Sequence, residues 1–205
     1  MNFYHNLIVK KSWELLISLN RKYKFILIGG WAVYLYTKTL KSKDIDLVLS
    51  FSELEKLKEE FVVFKNERLK KYEARAEEIE IDIYLPFYSN PGLPAEDVQN
   101  FVAILEGFKV PQKEILAILK QKALLARKES VKGKKDLADL LSLFRLEDFN
   151  WEKYHKIIKK YKLTNWPKLT YNITKETRVF EELGLNIHQT ATLKRKILPR
   201  LKEVN

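Results

Sequence analysis

A glycine pair set between a short apolar run and two alternating aspartates constrains this chain more than any other feature. In FILIGGWAVYLYTKTLKSKDIDLVLS, residues 25–50, Phe25 to Ile28 is a β-prone run and Gly29-Gly30 breaks it. Trp31 to Tyr36 is long enough to start a helix, and Ile45, Leu47, Val48 and Leu49 make a second strand. Side chains alternate across a strand, so Asp44 and Asp46 share one face and Ile45 and Leu47 the other. Two carboxylates held that close repel and desolvate poorly unless a cation lies between them, and their hard oxygens suit Mg²⁺ or Mn²⁺. Gly29 and Gly30, lacking Cβ atoms, let an anion approach the backbone, and the helix that follows aims its N–H groups and positive dipole end at it.

A glycine pair, an apolar helix and a D-x-D that opens a strand, with thirteen residues between Gly30 and Asp44, resembles the signature of the nucleotidyltransferase superfamily that includes DNA polymerase β. With Trp-Ala after the glycines and a basic, Ser/Thr-containing run before DIDL, the stretch is most similar to small bacterial and archaeal branches. These include the antibiotic nucleotidyltransferases and the type IV abortive-infection toxins. The resemblance implies an α+β fold, a nucleotidyltransferase-like mixed β-sheet flanked by helices and followed by a helical C-terminal region. It implies transfer of a nucleoside monophosphate from an NTP to a hydroxyl acceptor, with release of pyrophosphate.

The family also requires a third carboxylate on a neighbouring strand. In EIEIDIYLP, Ile79, Ile81, Ile83 and Leu85 alternate with Glu80, Asp82 and Tyr84, one apolar and one polar face. Asp82 lies mid-strand and takes the role, ligating the catalytic metal and assisting deprotonation of the attacking hydroxyl. Glu80, on the same face but longer and nearer the strand start, is the second choice. By the resemblance, Asp44 and Asp46 hold two Mg²⁺ (or Mn²⁺) ions, Asp82 shares one, and Gly29 and Gly30 cradle the phosphates. Many members carry Gly-Ser where this chain has Gly29-Gly30, so the phosphate grip falls to backbone N–H groups and to bases such as Lys38, Lys41, Lys43, Lys122 or Arg127. No acceptor-binding signature accompanies the motif.

Ser89-Asn90-Pro91-Gly92-Leu93-Pro94 is the clearest boundary signal. It divides the chain into a catalytic domain, residues 1–90, and a helical, basic domain, residues 91–205. In the latter, Lys113 to Lys128 and the run through Leu137, Leu140, Leu141 and Phe144 read as two packed helices joined by a turn at Gly133. Lys122 falls on the edge of the first apolar stripe, where it must find an anion or snorkel. The stretch KALLARKESVKGKKDLADLLSLF also resembles the abortive-infection branch. There Lys122 and Arg127, then Lys135, Asp136 and Asp139, match the positions that complete the nucleotide site. Lys122 would neutralise the triphosphate, and Asp136 or Asp139 would orient Lys122 or Arg127.

Charge bears on the acceptor. Residues 151–205 carry 13 Lys+Arg against 5 Asp+Glu, so +8 of the net +11 lies in the last quarter of the chain. Trp151, Tyr154, Tyr161, Trp166 and Tyr171 are interleaved with lysines there, a composition suited to phosphate contact and base stacking. RNA is the expected acceptor, with tRNA favoured because the resembling toxins modify it, and an antitoxin protein is the partner such a toxin implies. The alternatives are nucleotidylation of a small molecule or a protein, and an inactive nucleotidyltransferase fold that binds RNA or a partner. A hydrophobic content of 46% over 205 residues argues against disorder. The apolar runs are too short for a membrane helix, no membrane association is expected, and a cytoplasmic location follows by default. Without cysteines there are no thiolate sites, and His5, His155 and His188 are too scattered to form a ligand motif.

Overall fold

The structure, a computed structural model, describes residues 2–203. The His5 side chain lies outside what it describes. The chain divides into two compact units, residues 1–112 and 113–205.

The first unit opens with α1 (Asn2–Lys22), β1 (Phe25–Ile28), α2 (Gly29–Thr37) and β2 (Ile45–Leu49). Then follow α3 (Phe51–Lys58), β3 (Val63–Asn66), β4 (Lys71–Ala76) and β5 (Ile79–Tyr84). Five strands make one mixed sheet in the order β1-β2-β5-β4-β3. Only β2 and β5 run parallel, because α3 and the β3–β4 meander separate them in sequence and return the chain in the same direction. The sheet is amphipathic as its alternation requires: Ile45, Leu47, Ile81 and Ile83 are fully buried, while Asp46, Asp82 and Tyr84 are partly exposed. Helix α2 packs on β1 and β2. Its Trp31 is buried, donates from Nε1 to Ser12 Oγ of α1 at 2.9 Å, and has the ring of Trp13 4.9 Å away. Ser50 caps α3, accepting from Glu53 N.

The unit does not end at the Ser89–Pro94 loop where the sequence placed the boundary. After a single turn of helix, α4 (Ala95–Val98), a hairpin of β6 (Val102–Leu105) and β7 (Phe108–Pro111) closes on a two-residue Glu106-Gly107 turn. Strand β7 packs beside β1, with Phe108 and Val110 buried, which is why the division falls after Gln112.

The second unit is helical: α5 (Lys113–Arg127), α6 (Val131–Phe144), α7 (Trp151–Lys160), α8 (Asn165–Glu176), a 3₁₀ turn (Glu181–Leu183) and α9 (Ile187–Lys202). Helix α5 lies against α6, α7 and α8, so nearly its whole first half is buried, Ile115 to Gln121 included. Gln121 ties three helices together, accepting from Tyr154 Oη at 2.8 Å and donating to Thr170 Oγ1 at 2.9 Å. The break between α5 and α6 falls at residues 128–130 rather than at Gly133, which is the third residue of α6 and donates its N–H to the capping Ser130 Oγ. Gly133 is small for a packing reason: a Cβ there would stand 2.1 Å from the Arg127 carbonyl oxygen. Among the described residues no helix is long and apolar enough to cross a membrane.

Candidate active site

The site is built at the junction of β1, α2 and β2. Strand pairing sets Ile28 opposite Asp46, and the next residue, Gly29, turns the chain into α2 with φ +68°. A Cβ at Gly29 would lie 1.9 Å from Asp46 Oδ2 and 2.8 Å from Asp46 Cβ. The glycine therefore makes room for the Asp46 carboxylate, a role additional to the phosphate approach expected of it. No side chain caps α2 at its start, so the positive end of the helix dipole favours an anion beside Gly29 and Gly30. Asp44 precedes β2 by one residue, half-buried like Asp46, and Lys43 stands next to it, also half-buried.

Asp82 is where the alternation in EIEIDIYLP put it, in direct register with Asp46 across the parallel β2–β5 pair. Glu80 is exposed, two residues nearer the start of β5, opposite Arg75 and 3.9 Å from its guanidinium. Two residues the sequence did not single out complete the surroundings. Lys71 Nζ stands 2.6 Å from Asp82 Oδ2 and 3.0 Å from Glu73 Oε1, and Glu73 faces Asp82 in the β4–β5 register and accepts from Asn66 Nδ2 at 2.9 Å. The charged face of KYEARA, Lys71, Glu73 and Arg75, was visible as a period of two; that it faces Asp82 was not.

This crowding shifts both partners. Burial raises the Asp82 carboxyl above the ordinary aspartate range; Lys71 works against the rise, and the charges of Glu73 and Asp44 add to it. Burial works against the Lys71 ammonium, but the hydrogen bonds and charges of Asp82 and Glu73 outweigh it and hold its pKa above the ordinary lysine value. The donor set of Asp44, Asp46 and Asp82 is hard oxygen, the chemistry Mg²⁺ or Mn²⁺ takes, and the space cleared at Gly29 is filled by one of those carboxylates. In kind, the residues fit a divalent cation. In the arrangement described, Asp82 faces Lys71, and among the described residues no three acidic or imidazole side chains yet converge on one point.

Within the second unit, Arg127, Asp136 and Asp139 do come together, but around a different lysine. Lys120 is buried, its Nζ 2.6 Å from Asp139 Oδ2 and 3.3 Å from Asp136 Oδ1, and Arg127 Nε donates to Asp136 Oδ2 at 2.7 Å. Asp139 is fully buried with no hydrogen bond of good alignment to either oxygen, and burial lifts its pKa against the pull of Lys120. Lys122 is exposed, with its ammonium 5.9 Å from the Trp166 ring, and Lys135 is half-buried on the first turns of α6. The basicity of this unit also frames a groove of about 730 Å³. Phe144, Trp151, Leu193 and Ile197 give it an apolar floor, and Arg145, Lys196 and Arg200 line it with positive charge.

No protein-family model matches the chain, and no curated protein is significantly similar to it. Solved structures do match. JHP933 from Helicobacter pylori superposes with a TM-score of 0.54 at 16% identity, covering 96% of this chain and 93% of its own. A candidate nucleotidyltransferase from H. pylori gives 0.54 and 16% over 97% and 95%. An antigenic nucleotidyltransferase-like protein from Paracoccidioides brasiliensis gives a TM-score of 0.43 at 16% identity over 87% of this chain and 97% of its own. At this identity the likeness to the two H. pylori structures shows the fold: an α+β architecture of nucleotidyltransferase type.

Proposed function

We propose that this chain is a divalent-metal-dependent nucleotidyltransferase that moves a nucleoside monophosphate from an NTP to a hydroxyl group and releases pyrophosphate. The observation that carries the reading is the pairing of Asp46 with Asp82 on adjacent parallel strands, with Asp46 seated against Gly29 at the start of α2. Asp44, Asp46 and Asp82 would hold the metal ions, which when bound neutralise charge on the phosphoryl oxygens. Gly29 yields its side-chain space to the Asp46 carboxylate, and the N–H groups and positive dipole end of α2 beside it would receive phosphate oxygens. By the resemblance, Asp82, in register with Asp46 on the neighbouring strand, takes the proton of the attacking hydroxyl. That oxygen bonds to the α-phosphorus as the bond from this phosphorus to the departing pyrophosphate oxygen breaks, in line with the attack. A cavity of about 380 Å³, lined by Asp82, Glu80, Lys71 and Glu73 among others, gives this face room for a reactant.

The triphosphate roles of Lys122 and Arg127 rest on the sequence resemblance; Asp136 supports that of Arg127 by fixing its guanidinium. For the acceptor we favour RNA on the charge of residues 151–205 and the cation-lined groove to which Trp151 contributes, and tRNA in particular because the toxins this chain resembles modify it. The resemblance to abortive-infection toxins makes a toxin restrained by an antitoxin protein the corresponding biological role.

Transfer of label from each of the four α-labelled NTPs to total RNA, with Mg²⁺ or Mn²⁺, tests the chemistry. A discrete labelled RNA is expected, and Asp44→Ala or Asp46→Ala should reduce it by about 10³-fold or more with the circular-dichroism spectrum unchanged. Label on the protein itself would replace the RNA reading by protein modification. Full metal-dependent transfer by the folded double variant would overturn the site.

A further inference from the structure

Lys71 is the feature of the acid site that the proposed chemistry leaves without a role. Its ammonium is largely buried on β4 and bridges Asp82, at 2.6 Å, and Glu73, at 3.0 Å. A buried ammonium persists only where carboxylates compensate its desolvation, and buried carboxylates likewise need a cation. Asp82 is flanked in register by Asp46 on one side and Glu73 on the other, so without a metal Lys71 supplies positive charge this face requires. One Asp82 oxygen is thus engaged by an ammonium from β4 at 2.6 Å.

We propose that Lys71 is the resident counter-cation of Asp82, displaced when a divalent ion binds; this rests on the reading of Asp44, Asp46 and Asp82 as metal ligands. The exchange is of one cation for another. Lys71 keeps its proton and swings away on its four-carbon stem, with Glu73 still in reach, and Asp82 is released toward Asp44 and Asp46. Lys71 thus sets the divalent-ion concentration at which the site assembles. It acts as a positioning residue, since it holds one ligand rather than touching the reacting atoms.

Calorimetric titration of the full chain with Mn²⁺, in the absence of nucleotide, tests this. Lys71→Met removes the competing charge and should bind Mn²⁺ about tenfold more tightly than the wild type, while Lys71→Arg, which keeps the charge, should stay within about twofold. The melting temperature gives a second readout: Lys71→Met should melt lower than wild type without metal and gain more from saturating Mn²⁺. If the methionine variant does not fold, Lys71→Gln is read in the same way. Equal or weaker Mn²⁺ binding by the uncharged variants would overturn the role of Lys71 alone. No Mn²⁺ binding by the wild type or any variant would overturn the metal site itself, and this inference with it.

Discussion

The two units each contain a cluster of lysine and aspartate, and the clusters are built for opposite ends. In the second unit, Asp136 and Asp139 meet Lys120 and Arg127, two negative charges against two positive, with side chains 2%, 0%, 9% and 43% exposed. In the first, Lys71 serves Asp82 and Glu73 at once, on a sheet face where Asp82 is 23% exposed and Asp46 lies alongside. The second cluster is balanced in charge and, Arg127 apart, sealed from solvent, which suits fastening α5 to α6; the first, with a partly accessible aspartate, suits exchange of its cation. Motif-level resemblance does not separate these cases, since both contain a lysine and closely spaced acids. Burial and charge count do.

The largest effect is expected at Lys120. Lys120→Met leaves two buried carboxylates with one partly exposed guanidinium and should cost about 3–5 kcal/mol, whereas Lys122→Met, two residues away and exposed, should stay within about 0.5 kcal/mol. Urea unfolding of both variants measures the difference, and equal losses would mean that the second cluster is not a fastening. Next in size is Gly29→Ala. Its Cβ would collide with Asp46 at a backbone φ of +68°, so transfer should fall about 10²-fold through displacement of that carboxylate, with about 1–2 kcal/mol of stability lost to the strained backbone. Wild-type activity with altered stability would show that Asp46 does not need its seat. The smallest effect belongs to the groove. Lys196→Ala with Arg200→Ala should weaken binding to single-stranded RNA and flatten the plot of log affinity against log salt by roughly 0.7 for each phosphate contact removed. An unchanged slope would take RNA out of the groove.

The strand, turn, helix and strand of residues 25–49 were legible because each signal is local: a β-branched run, a glycine pair, an alternation of period two. The neighbourhood of Asp82 was legible for the same reason, but its partners were not. The β2–β5 pairing spans more than thirty residues, whereas Lys71 and Glu73 meet Asp82 across a tight β4–β5 hairpin whose Glu77-Glu78 turn has no glycine, asparagine or proline to announce it. In α5 the difficulty was different. The stripe was read as the one face by which α5 packs on its neighbour, which put Lys122 at its edge. Three helices cover α5, so the buried arc is wider and encloses Lys120. The β6–β7 hairpin escaped notice because two strands of four residues carry little periodicity, and the Glu106-Gly107 pair between VAIL and FKVP was its one signal.

The parallel pairing of β2 with β5 has a consequence for folding kinetics. Asp46 and Asp82 cannot meet through a hairpin; α3, β3 and β4 must all be laid down before β5 can slot in beside β2, and such non-local closure is slow relative to helix and hairpin formation. A nascent chain that has left the ribosome only as far as β4 already carries the glycine pair and both D-x-D aspartates, yet has no assembled acid pair. The site is thus a late product of the folding of its own sheet.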